Sequence, residues 1–166
     1  MPAVDVTWEA QFDVASVRGT RTIAASDFFT GILTTALEPD ELIVAIRLPR
    51  WKPGRRFAVE EFSRRQGDFA MAGCAVFWDV EDGRCVDPHV GVFGVADTPL
   101  RVPEVEAVLA GKAIDDAVIA EAARTLRRSV IPQGDIHAPA DYKSALMGVL
   151  LERALAAAAA DPERLS

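Results

Sequence analysis

The run from Met71 to Ala96 restricts the fold more than any other part of this chain. Two β-prone, largely apolar stretches flank Asp82-Gly83, and an Asp-Gly pair supplies the two positive φ values of a type I′ hairpin turn. The segment therefore reads as a long antiparallel hairpin. A two-residue turn also sets the register, placing Glu81 opposite Arg84 and Val80 opposite Cys85. Continued without interruption, that register brings Cys74 opposite Gly91, so a Cys74–Cys85 disulfide does not fit the pairing. Phe57 to Ser63 reads as a further strand ahead of the hairpin.

Beyond the hairpin the chain is helical. Pro103 to Ala110 forms a short helix with Gly111 as its stop. Asp115 or Asp116 caps a second helix, whose buried stripe is Ile119, Ala122, Ala123, Leu126 and Val130. Ile131-Pro132-Gln133-Gly134 breaks it. A last helix starts near Pro139-Ala140 and is expected to bury Tyr142, Leu146, Val149 and Leu150. It then runs into alanines 156–160, a good helix-forming tract with little to pack against. Residues 161–166 are expected to fray. The fold class is α+β: an antiparallel sheet with a long hairpin, packed against a C-terminal bundle of about three helices.

The N-terminal third is a separate β-rich piece. Residues 10–16 alternate as a strand with Phe12 and Val14 on one face, Arg18-Gly19 turns, and 20–24 returns. Ser26 reads as the N-cap of a short helical turn carrying Phe28 and Phe29. Glu41 to Leu48 is a strand ended by Pro49. Simple alternation gives it an apolar face of Leu42, Val44, Ile46 and Leu48, and a mixed face of Glu41, Ile43, Ala45 and Arg47. Trp51-Lys52-Pro53-Gly54-Arg55 has linker composition, which divides the chain into 1–50 and 56–160 with 51–55 between them. The apolar strand face, with Phe28, Phe29, Ile32 and Leu33, is too large to leave open. Residues 1–50 are therefore expected either to pair with another copy as a homodimer or to stay loosely ordered.

Composition removes several classes of function. With 166 residues, half of them hydrophobic, the chain can bury a real core. A formal net charge of −7 argues against a nucleic-acid binder. No apolar run approaches the ~20 residues of a membrane span. Asp5 and Glu9 are unlike a signal peptide, which points to a cytoplasmic address with Cys74 and Cys85 reduced. No catalytic set stands out. His89 reads as a structural histidine, and Asp135-x-His137 as a helix-entry cap. Glu60-Glu61 and Asp115-Asp116 are adjacent pairs that point apart. There is no Walker sequence and no G-x-G-x-x-G phosphate cradle.

Arg64-Arg65-Gln66-Gly67-Asp68-Phe69-Ala70 stands just before the hairpin. Upstream lie Ser26-Asp27-Phe28-Phe29-Thr30-Gly31, Glu38-Pro39-Asp40-Glu41-Leu42-Ile43 and Arg47-Leu48-Pro49. Downstream lie Thr98-Pro99-Leu100-Arg101, Asp135, and Ala138 through Tyr142-Lys143 to Leu146. In this order, from about Phe12 to about Ala157, the set resembles the flavin-carrying middle subunit of the molybdenum hydroxylases. That family includes xanthine dehydrogenase and the aerobic carbon monoxide dehydrogenase.

The resemblance implies an oxidoreductase component in which electrons pass from iron–sulfur clusters to FAD and on to an acceptor. Its implied partners are a molybdopterin-containing large subunit and a 2Fe–2S small subunit. In relatives the glycine-rich FAD pyrophosphate loops lie N-terminal to the matched region. The chain then corresponds to the end of the flavin domain (1–50) and the C-terminal domain (56–160). FAD binding by this chain alone is not expected, and a separate N-terminal flavin half is an expected partner. At the implied cofactor site, Ile43 occupies the position whose aliphatic side chain touches the flavin. Glu60 stands where some relatives place a lysine near it. Arg64, Arg65 and Asp68 belong to the family pattern and are read as a hydrogen-bonded corner. The alternative is a cofactor-free interaction domain that docks to the same subunits.

Overall fold

A computed structural model describes residues 1–65 and 67–160; the tail expected to fray lies outside them. The N-terminal part contains α1 (Pro2–Thr7), β1 (Gln11–Ser16), β2 (Gly19–Ala24), α2 (Ala25–Phe28), β3 (Phe29–Gly31), β4 (Thr34–Thr35) and β5 (Leu42–Arg47). Then come β6 (Arg56–Phe62), β7 (Ala72–Glu81), β8 (Arg84–Phe93), β9 (Leu100–Arg101), α3 (Pro103–Leu109), α4 (Asp116–Ser129) and α5 (Ala140–Ala160). The strands form a three-stranded sheet β2-β1-β5, a small β3-β4 pair and a four-stranded sheet β6-β7-β8-β9.

The hairpin forms as its turn chemistry dictates. Asp82 and Gly83 both adopt positive φ, and Glu81 pairs with Arg84 and Val80 with Cys85. Further along, the register differs from simple continuation: Cys74 faces Val92, not Gly91. The shift falls between Phe77 and Asp79, where β8 carries one extra residue around Asp87-Pro88. Asp87 has φ of 51°, and Pro88 has no N–H to donate to the ladder, so the strand bulges there. Both cysteines are free and buried.

The two faces of this sheet are covered by different parts of the chain. Ala72, Cys74, Val76, Trp78, Val90 and Val92 form the main core with α3, α4 and α5. The alternate residues Ala75, Phe77, His89 and Gly91 face α1 and the segment before β6. Asp115 caps α4 by accepting from the N–H of Val118 at 2.9 Å, and the expected stripe from Ile119 to Val130 is buried.

The face buried by α5 departs from expectation. Lys143, Met147, Gly148, Leu150, Leu151, Ala154, Leu155 and Ala158 are buried, while Tyr142 and Val149 are exposed. A helix apolar nearly all round does not set its own rotation. Lys143 Nζ is instead drawn in to the Gly94 carbonyl at 3.0 Å and to Asp135 at 2.8 Å. The alanine tract is not idle either, since Ala158 joins the main core and Ala157 and Ala159 pack against it.

In the N-terminal part, Val6, Ala10, Phe12, Val14, Ile23, Ala25 and Phe28 form a second core, in which Phe12 stacks on Phe28 at 4.0 Å. Ser26 is not the cap of α2. The helical turn begins at Ala25, with Ala24 at the cap position and no side-chain cap. The Ala25 N–H, one of the orphan donors of the first turn, bonds the carbonyl of Ala10 at 2.8 Å. β5 also has a bulge: Ala45 pairs with Asp13, but Ile43 pairs with Val14. Cross-strand partners share a face, so Ile43 and Ile46 both lie on the side of buried Val14 and Phe12. The simple alternation expected for this strand is reset there.

Candidate cofactor-side site

The two cores meet at an aromatic seam. Trp8, just after α1, stands edge-on to Trp51 at 4.9 Å. Trp51 packs edge-on to Phe57 of β6 at 5.6 Å and lies 5.8 Å from Phe77 of β7. Gly91 permits this approach: a Cβ there would run into the side chain of Thr7. His89 stacks on Phe77 with centroids 4.3 Å apart, and its Nδ1 lies 2.9 Å from the Thr7 carbonyl oxygen.

A charged clamp lies behind the rings. The Arg55 side chain is 4% exposed. It donates to Asp79 through Nε at 2.7 Å and Nη2 at 3.0 Å, and its guanidinium sits 4.6 Å from the Phe77 ring centre and 5.3 Å from that of Trp51. Lys52 adds a contact to Asp79 at 2.6 Å. The Arg55 hydrogen bonds, then those of Lys52, hold the Asp79 carboxyl below its ordinary range. The segment 51–55, of linker composition, is thus tied down at both ends by packing and charge.

Between these rings and α1 lies an almost wholly apolar cavity of about 300 Å³, walled by Val4, Trp8, Trp51, Phe57, Val59 and Phe77. The Trp8 indole nitrogen is buried without a hydrogen-bond partner, as is one oxygen of Asp5. Burial raises the Asp5 carboxyl above its ordinary value.

The two residues singled out in sequence lie in different sheets. Ile43 is on β5 and 42% exposed; Glu60 is on β6 opposite Cys74. Neither lines the cavity, although Val59 does. Arg64, Arg65, Gly67 and Asp68 are exposed, and the Ser63 hydroxyl and the Asp68 N–H both donate to the Arg65 carbonyl. Arg64 Nη1 lies 3.2 Å from His137 Nδ1. Asp135 accepts from the N–H groups of His137 and Ala138, both before the first residue of α5, so it closes the turn leading into the helix and is not the helix cap expected of it. The Lys143 hydrogen bond first, and these two N–H groups next, hold the Asp135 carboxyl far below its ordinary value. Among the described residues no acidic, histidine or cysteine cluster could hold a metal, and no helix is long and apolar enough to cross a membrane. Trp8, Trp51, Arg55 and Phe77 carried no motif. Their sequence signal is only that two tryptophans flank the N-terminal strands.

Residues 57–158 match the CO dehydrogenase flavoprotein C-terminal domain, and residues 1–51 match the FAD binding domain in molybdopterin dehydrogenase. The chain belongs to the flavoprotein-subunit family of the molybdenum hydroxylases. It is 36% identical over 155 residues to the carbon monoxide dehydrogenase medium chain of Afipia carboxidovorans, covering 93% of this chain and 54% of that one. It is 34% identical to the nicotine 6-hydroxylase medium subunit of Paenarthrobacter nicotinovorans, covering 96% and 56%. Carbon monoxide dehydrogenase from Hydrogenophaga pseudoflava superposes with a TM-score of 0.90 at 38% identity, over 96% of this chain and 55% of that chain. The chain therefore spans about half the length of the relatives it matches.

These residues fit FAD in part. Aromatic and aliphatic side chains suit a planar ring system, as ligand pockets usually do. Nothing in the sequence resembles a glycine-rich cradle for a pyrophosphate, and a net charge of −7 offers no substitute.

Proposed function

We propose that this chain is the ring-side portion of a flavin-binding medium subunit. It would hold FAD jointly with the part of the flavin domain that supplies the pyrophosphate loops, and so pass electrons from iron–sulfur clusters to an acceptor. The observation that carries this reading is the matching of a flavin-domain segment and a flavoprotein C-terminal domain within one chain whose two cores meet at an aromatic seam. We assign 1–50 to the flavin domain, 51–55 to the connection and 56–160 to the C-terminal domain.

In this reading Ile43 lies against the flavin, and its partial exposure on β5 leaves the side chain available. Glu60 replaces a positive neighbour of the cofactor by a carboxylate. FAD, when bound, supplies the redox chemistry, and this chain supplies positioning and electrostatics. The partners are a molybdopterin-containing large subunit and a 2Fe–2S small subunit, in the cytoplasm.

Two measurements test the proposal. Purified alone, the chain is expected to be colourless, without flavin absorption near about 450 nm. Together with the N-terminal portion of the flavin domain it should carry FAD, and Ile43→Asp should weaken that binding by about 1–3 kcal/mol through desolvation of the carboxylate. FAD affinity indifferent to Ile43→Asp removes Ile43 from the site. The second reading, a cofactor-free docking domain, is favoured by the lack of a phosphate cradle. It prevails if the assembled complex forms and stays colourless.

A further inference from the structure

The cavity beside the aromatic seam is propped open by groups that do not line it. The Arg55 guanidinium holds Trp51 from 5.3 Å and Phe77 from 4.6 Å, and the His89 ring stacks on Phe77 at 4.3 Å. α1 is fixed in turn by the Thr7 carbonyl on His89 Nδ1 at 2.9 Å and by its close approach over Gly91. The space is therefore preformed, and a void between walls that do not collapse costs stability while it stays empty. Its wall offers no hydrogen bond. The Thr7 hydroxyl is spent on the Ala3 carbonyl at 2.7 Å, and the Trp8 indole nitrogen is buried within the wall. Val59, which lines the cavity, is 55% exposed, so the space opens to solvent there.

We propose that this cavity is a binding site for a small, neutral aromatic compound of two fused rings. Size is the first reason. A dry apolar cavity of about 150 Å³ takes one benzene, and this one has about 300 Å³. Ring geometry is the second: Trp8, Trp51 and Phe57 stand edge-on along the wall at 4.9 and 5.6 Å. They offer both edges and faces, which a flat ring uses and an alkyl chain of equal volume does not. The third is charge. Aromatic walls also attract cations, but Arg55 already engages Trp51 and Phe77, and no carboxylate lines the cavity. A charged ligand would shed its water there without a partner. The site is separate from the flavin contact assigned to Ile43, which does not line it. A flavin ring would leave its carbonyl and N–H groups unpaired against this wall, so the inference does not rest on flavin being bound. The ligand touches α1, the 51–55 segment, β6 and β7 together, and so ties the two cores to each other.

Naphthalene is the probe. Equilibrium dialysis against the full chain should show a single saturable site, and saturation should raise the melting temperature. Val59→Trp, which fills the cavity from its exposed rim, should weaken binding about tenfold or more. Val17→Trp places the same ring at a turn that is 99% exposed and should leave binding unchanged. Neither phenyltrimethylammonium nor riboflavin in excess should displace naphthalene. The absence of a saturable site overturns the proposal, as does binding that Val59→Trp leaves intact or that Val17→Trp weakens equally. Displacement by phenyltrimethylammonium overturns it in favour of a cation cage. Displacement by riboflavin overturns it as well, since the cavity is then the flavin's own ring pocket and the cofactor reading stands without a second ligand.

Discussion

Replacing Asp79 by alanine tests how the seam between the two cores is held. Arg55 is buried, its side chain 4% exposed, and Asp79 takes two of its N–H groups at 2.7 and 3.0 Å. The other nearby anion, Asp87, is 3.5 Å away and half exposed. Removing Asp79 therefore strands a guanidinium among Trp51 and Phe77, and breaking a buried pair in this way costs about 3–5 kcal/mol. The rings return only about 0.5–2 kcal/mol as cation–π attraction, and they already do so in the wild type. Lys52 is largely exposed and loses little. A loss of about 3 kcal/mol is expected for Asp79→Ala, the low end, because Asp87 remains. The double variant Arg55→Met/Asp79→Leu removes both charges and fills the space, so it should be more stable than Asp79→Ala alone. Urea unfolding followed by both tryptophan fluorescence and far-ultraviolet circular dichroism reads the difference. If Asp79→Ala costs less than about 1 kcal/mol, or if the double variant is the weaker of the two, the clamp does not hold the seam.

Other substitutions probe the remaining joints. Gly94 has φ of 75°, and a Cβ there would stand 2.6 Å from the Ala70 carbonyl oxygen. Gly94→Ala should therefore cost about 1–3 kcal/mol in a thermal melt. Gly148→Ala meets only the movable end of Arg127 and gains about 1 kcal/mol of helix propensity, so its melt should stay near wild type. The Arg21 hydrogen bonds first, with the Glu38 N–H second, bring the Glu41 carboxyl down to about 2. A folded-state value below the unfolded one stabilises above about pH 4.5, and that contribution is lost as pH falls through about 2. Glu41→Gln should flatten the fall in urea midpoint across that window. Burial pushes the Cys74 and Cys85 thiols up to about 12, so thiol reagents at pH 8 should label neither until urea unfolds the chain. Prompt labelling of the native protein would contradict their burial.

How much was legible in the sequence depended on the range of the forces involved. The Asp82-Gly83 turn, the Asp115 cap, the Gly111 stop and the stripe of α4 are decided by residues within a turn or two of one another. Each appears in the structure where local chemistry places it. The collinear family pattern was legible too, because it is a property of order along the chain. Both departures of register are bulges, which simple continuation of a pairing or an alternation leaves out. The bulge at Asp87-Pro88 moved Cys74 from Gly91 to Val92, and the one in β5 turned Ile43 to the side of Ile46. The rotation of α5 was set by Asp135 and the Gly94 carbonyl capturing Lys143, since its apolar surface runs nearly all round. The aromatic seam is the extreme case. Trp8, Trp51 and Phe77 belong to three distant stretches, and α1, too short to announce itself by periodicity, is what carries the first of them to the sheet. Only chain closure, with Gly91 leaving room for Thr7 and Asp79 neutralising Arg55, brings those rings around one cavity.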